Sequence, residues 1–282
     1  MTAEGLRALH EWNWDPSIWI GVGLLILLYL GAAGPFRSRF KDSQPLSRWQ
    51  MTWYLLGAFV ILFALVSPLD STGDEYLFST HMLQHLLLTL VAPPLLLLGT
   101  PGWMLRPLLK SAFLKSILRT LTAPVLAYLL FNLNFLAWHI PIFYEATLEN
   151  ESIHIIEHLS FIFTALLNWW PMLSPLDELP RLPAPAQILY LFLDGVPTTV
   201  LSAIIVFANN VLYPTYAAAP RAFGISALTD QSIAGLIMGM PGGMIYLFAL
   251  TIVFFRWNNR EEKRDLLESG GGMQDTQLIG HK

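Results

Sequence analysis

The chain contains no cysteine. That absence excludes disulfides, Cys-x-x-Cys redox chemistry and thiolate metal sites, so any metal must be held by His, Met, carboxylate or Tyr. Charge is scarce too: Asp, Glu, Lys and Arg make up only 13% of the residues, and the formal net charge of -4 argues against a broad nucleic-acid surface. The N-terminus lacks a basic stretch followed by an apolar core and a small-residue cleavage site, so no cleaved signal peptide is expected. What is abundant is hydrocarbon. Hydrophobic residues account for 54% of the 282, and the mean hydropathy is +0.51, which is the composition of an integral membrane protein.

Seven apolar segments, at 17–35, 50–67, 79–99, 122–141, 152–170, 186–208 and 231–255, each approach the ~20 residues that cross a bilayer core. The expected fold is all-α, a polytopic membrane bundle of seven transmembrane helices. Residues 1–16 form an extracytoplasmic interfacial arm ending in Trp12, Trp14 and Pro16, residues 17–257 form the transmembrane domain, and 258–282, polar and containing Gly270 to Gly272, are expected to be a disordered cytoplasmic tail. Basic residues set the orientation. Arg37, Arg39, Lys41 and Arg48, then Arg106, Lys110, Lys115 and Arg119, then Arg256, Arg260, Lys263 and Arg264 all fall on one side. The opposite loops carry Asp70, Asp74 and Glu75, then Glu145, Glu149 and Glu151. The positive-inside rule therefore puts the N-terminus outside and the C-terminus in the cytoplasm. Trp49, Trp53, Trp103, Trp169, Trp170 and Trp257 are expected at the inner interface.

Histidine placement is the informative feature. His81 and His85, and again His154 and His158, are four residues apart, so each pair stacks on one helix face. The third and fifth segments both start outside, which places the two pairs at matching depths of about 3 and 9 Å at 1.5 Å per residue. His139 ends the fourth segment in the same layer. A single membrane histidine often does no more than hydrogen-bond a neighbouring helix. Five in one layer, with two i, i+4 pairs and none in the cytoplasmic half, point instead to a metal site, and imidazole without thiolate suits copper, zinc or non-haem iron. Glu151 and Glu157 flank the second pair as ligands or ring-orienting groups, unless they merely face solvent. Met82, Met238, Met240 and Met244 offer soft ligands for Cu(I), although methionine is chiefly a gap-filler in apolar cores. Asp194 and Pro197 in the sixth segment predict a kinked polar patch.

Several stretches taken together resemble the CtaG family, the membrane assembly factors of bacterial caa-type cytochrome c oxidase. They are His81 to Pro94, Trp138 to Ala146, His154 to His158, Asn168 to Pro171 and Asp230 to Met238, in that order, within a resemblance running from about residue 15 to 257. It implies a multi-pass protein of the bacterial plasma membrane, not an enzyme, whose partners are the lipid bilayer and oxidase subunits, with no nucleic acid and an oligomeric state left open. It further implies handling of the copper of the haem-copper centre. The residues matching the family's polar pattern are His81, Gln84, His85, His139, His154, His158, Asp230 and Gln231. The expected metal ligands are the five histidines, supported by Gln84, Glu157, Asp230 and Gln231. Two alternatives stand beside copper. A seven-span zinc hydrolase would use His139, His154, His158 and Asp230, with Ser79 or Ser152 nearby. A haem protein would take axial imidazoles from the third and fifth segments.

Overall fold

A computed structural model describes the backbone of residues 1–279, with side chains to 267, and is all-α among them. The helices are α1 (Ala3–Ala8), α2 (Pro16–Ala33), α3 (Arg48–Val66), α4 (Pro68–Glu75), α5 (Phe78–Leu86), α6 (Ala92–Gly99), α7 (Gly102–Leu105), α8 (Ala112–Leu121), α9 (Pro124–Trp138), α10 (Pro141–Glu149), α11 (Glu151–Leu173), α12 (Ala184–Val206), α13 (Pro214–Ala218) and α14 (Ala227–Ile279). Five stretches are long and apolar enough to cross a membrane: α2, α3, the continuous run Phe78–Gly99, α12 and the first part of α14. A sixth arises if α8 and α9, bent by 66°, count together. The bend follows from Pro124, whose ring disfavours helical backbone at Ala123, leaving α9 with only 15 residues. At 23 residues α11 is long enough, but Glu151, His154, Glu157, His158 and Asn168 dilute its apolarity. The groups of chemical interest are what weaken its signal as a span.

Local sequence explains where these helices start. Asp15 accepts from the Ser17 amide with Pro16 at the first helical position, and Ser47 and Gln50 cap α3 reciprocally. Asn150 Oδ1 accepts from the amides of Ser152 and Ile153 and so fixes the start of α11. Asp230 does the same for α5 from a distance in sequence, accepting the amides of Phe78 at 2.7 Å and Ser79 at 3.2 Å and the Ser79 hydroxyl.

The run Phe78–Gly99 is the central element, with 67% of its 18-residue apolar window buried. A π turn over Leu87–Val91 interrupts it, closed by the Ala92 amide on the Leu87 carbonyl. Pro93 and Pro94 follow and have no N–H to give, so carbonyls above them lose their helical donors. Trp169 Nε1 takes over the Thr89 carbonyl at 3.2 Å, and the Thr89 hydroxyl donates to the His85 carbonyl at 2.6 Å. This irregular turn lies directly below His85, the kind of place where π turns recur at functional sites.

Trp103, Trp169 and Trp170 are buried between helices, with Trp169 completing the π turn, whereas Trp49 stays exposed. The N-terminal arm also docks on the bundle: the Thr2 amide donates to the Ala222 carbonyl at 2.8 Å, and Asn13 Nδ2 to Asp70 Oδ2 at 2.7 Å. Trp14 and Trp19 stay exposed and stacked at 5.7 Å. Helix α14 continues through 258–267, where the tail was expected to begin; the remainder of that expectation falls largely on residues whose side chains lie outside the described ones.

Candidate metal centre

The two histidine pairs meet. Helices α5 and α11 start at the same end of the bundle, so the i, i+4 faces on each oppose one another. The His81 and His154 rings stack at 5.3 Å, His81 and His158 lie 6.1 Å apart, and His85 and His158 lie 5.5 Å apart between centroids. His81, His154, Glu157 and His158 each offer one ligand atom, and these atoms all lie within 4.8 Å of one another. Tetrahedral ligands about 2.0–2.1 Å from an ion sit roughly 3.3 Å apart, so a small closure of these side chains would hold one.

Helix α4 completes the site from outside. A Cβ on Gly73 would lie 3.0 Å from the His81 Cα, so glycine is what lets α4 press on the start of α5. That contact brings the Asp74 carboxylate between two rings: Oδ1 lies 3.2 Å from His81 Nδ1 and Oδ2 lies 3.5 Å from His154 Nδ1. Both are ion-pair distances without hydrogen-bond alignment at His81. Burial raises the Asp74 carboxyl from 3.8 to about 6, and the nearby His154 opposes that shift. Asp70, one turn earlier, is also pushed up to about 6, by burial first and by Asp74 second, while amide donors from Asn13 and Gln84 pull it down.

The core of the site has few internal partners. Both nitrogens of His81 and His85, Nε2 of His154 and His158, and both oxygens of Glu157 are buried without a hydrogen bond from the protein. The neighbouring Thr147 hydroxyl gives its proton to the Tyr144 carbonyl instead. Each such group costs about 1–3 kcal/mol, and a carboxylate more, so a cluster of them rivals the ~5–15 kcal/mol of a typical fold. Glu157 is fully buried and faces imidazoles, with His85 Nε2 at 3.9 Å from its Oε1. A cation is what such a donor set is suited to accept. The site reaches the surface at Asp74, 30% exposed, and His154, 12% exposed.

The remaining expected residues lie elsewhere. His85 abuts the four, its ring 4.3 Å from that of His81. His139 stands apart from the four: Nδ1 is 2.7 Å from the Phe135 carbonyl, Nε2 is 3.4 Å from Met82 Sδ, and its ring is 6.1 Å from that of His85. Gln84 turns to the far face of α5, donating to the Ala64 carbonyl and to Asp70 Oδ1. Asp230 caps α5, and Gln231 accepts from the Leu212 amide at 2.7 Å and donates to the Asn210 carbonyl at 3.1 Å, tying the loop after α12 to α14. Sequence reasoning treated Asp74 as a loop acid and Glu157 as a supporting group. The spacing of Asp70 and Asp74, i and i+4 on a short helix, was the available signal. A lid of tyrosines was not anticipated: Tyr216 donates to the Gly73 carbonyl at 2.8 Å, Tyr213 to the His139 carbonyl at 3.0 Å, and the Tyr144 and Tyr216 hydroxyls are 3.1 Å apart.

Fold and site together define a membrane-helix protein with a buried His/Glu cluster near one end of its bundle. The family model described as cytochrome c oxidase caa3 assembly factor (Caa3_CtaG) matches residues 27–260. The chain belongs to that family. No curated protein and no solved structure matches it.

Proposed function

We propose that this protein spans the bacterial plasma membrane seven times, with its N-terminus outside, and carries copper to a cytochrome c oxidase subunit. Copper is cargo here rather than a resident cofactor, and no covalent chemistry is required. The seven spans would be α2, α3, the α5–α6 run, α9, α11, α12 and α14, with the basic connections inside. The histidine cluster then lies in the outer half of the membrane, under acidic loops that concentrate cations.

The observation that carries the reading is the convergence of His81, His154, Glu157 and His158 on one point. An ion enters past Asp74 and His154, the exposed members. Asp74 lies at ion-pair distance from the Nδ1 edges of two rings, where its negative charge raises the basicity of the imidazoles. His85 is the adjacent exchange ligand, and His139, Gln84, Asp230 and Gln231 support the site from neighbouring positions. Transfer proceeds by ligand exchange with the client subunit.

Two observations disfavour the other readings. The zinc hydrolase would need Asp230 at the ion, yet that carboxylate accepts the first amides of α5. A haem would need a wide slot between rings, yet His81 and His85 pack at 4.3 Å, His154 and His158 at 4.2 Å, and the cavity bordering His85 measures about 20 Å³. The donor set also suits zinc, so the test counts metals. Elemental analysis of detergent-purified wild type should find copper, and His158→Ala should hold less of it and lose oxidase maturation. Equal copper content in the two proteins would end this proposal.

A further inference from the structure

His139 and Met82 make a contact that their own chemistry does not explain. The Phe135 carbonyl, 2.7 Å from His139 Nδ1, can only accept, so Nδ1 carries the proton. In the neutral ring the Nε2 lone pair is then free, and it points at Met82 Sδ from 3.4 Å. A thioether sulfur is likewise an electron-pair donor. Two lone pairs face each other in a dry core, both residues being almost wholly buried. A second proton on the ring would resolve the clash only by placing a positive charge among Phe135, Phe161 and Met82 with no carboxylate in contact, which is costly.

We infer that His139 Nε2 and Met82 Sδ are two ligands of a second metal subsite, one turn below the first, that takes a soft monovalent ion such as Cu(I). With metal–nitrogen bonds of about 2.0 Å and metal–sulfur bonds of about 2.3 Å, a 3.4 Å nitrogen–sulfur separation closes an angle of roughly 100°, a normal coordination angle. Met82 and Met238 border the same ~20 Å³ cavity as His85, whose two ring nitrogens have no partner. His85 is therefore the third ligand and the residue shared between levels, since its Nε2 is also 3.9 Å from Glu157. The two levels differ in kind. Three imidazoles with a carboxylate accept divalent ions, whereas imidazole with thioether and no carboxylate selects a soft monovalent one. The inference rests on the metal-handling reading above and adds to it a second, chemically distinct stop.

The test uses Ag⁺, a redox-inert probe of Cu(I) sites, and Zn²⁺ on the detergent-purified full chain. Met82→Leu conserves volume and is expected to fold. Wild type should bind one more Ag⁺ than Met82→Leu, show a sulfur neighbour in X-ray absorption that the variant lacks, and bind the same amount of Zn²⁺ as the variant. Glu157→Gln should lose Zn²⁺ and keep sulfur-bound Ag⁺. No sulfur around Ag⁺ in wild type, an unchanged Ag⁺ count in Met82→Leu, or two protonated nitrogens on His139 by ¹⁵N NMR of the metal-free chain would each overturn the subsite. Sulfur-bound Ag⁺ in a wild type that takes neither Zn²⁺ nor copper at the upper four residues would sink the proposed function and leave this subsite standing.

Discussion

Two polar clusters are buried in this bundle, and their hydrogen bonding separates them. In the deeper one, Asp194 of α12 accepts from Asn132 Nδ2 at 2.8 Å and Asn168 Nδ2 at 2.5 Å, and Tyr190 donates to Asn168 Oδ1 at 2.7 Å. Both carboxylate oxygens are satisfied by amides from α9 and α11, which makes the cluster an interhelical clamp. In the other, both oxygens of Glu157 and the ring nitrogens facing them are buried without a hydrogen-bond partner from the described residues. A carboxylate inside a membrane protein is thus no sign of a site in itself. What marks one is a buried acceptor set whose complement must come from outside the chain.

The comparison can be broken at its strong end first. His158→Ala should weaken copper binding by more than about 100-fold in a chelator competition, because removing a ligand exceeds the 10–100-fold typical of outer-shell changes. Asp194→Ala should leave that affinity unchanged; a metal loss there would erase the distinction between the clusters. Chelation comes next. Zn²⁺ at a hundred times its dissociation constant should stabilise wild type by about 2.7 kcal/mol over the stripped protein in thermal unfolding, and Glu157→Gln should show no such difference.

Asp194→Ala itself should cost about 1–3 kcal/mol, read as a lower unfolding midpoint in detergent, since two interhelical bonds vanish and amides are left unpaired. An unaltered midpoint would show that the clamp is not one. The smallest effect concerns Asp70. Burial, reinforced by Asp74, raises it from 3.8 to about 6, so the metal-free folded chain holds a proton over that interval that the unfolded chain has released. Its contribution to stability therefore falls as pH rises from about 4 to 6 and is flat above. Asp70→Asn should make that slope shallower, and an identical slope in wild type and variant would exclude Asp70 as its source.

Much of the architecture was legible in the sequence because a bilayer imposes a length and an apolar composition that residues report directly. The exceptions have local causes. Pro124 shortens α9 and bends it from α8, and Pro93 with Pro94 turns a plain span into one with a π turn.

By itself the sequence determined that two histidine pairs each share a helix face, since 3.6 residues per turn fixes the direction of residues four apart. It did not determine which way those faces turn. Rotation of each helix about its axis is set by packing against neighbours, and only that rotation buried Glu157 with the imidazoles, swung His139 toward Met82 and directed Gln84 to the opposite side. The approach of α4 through Gly73, which brings Asp74 to His81 and His154, is likewise a property of the assembled bundle, because contacts between segments have no periodic trace in the chain.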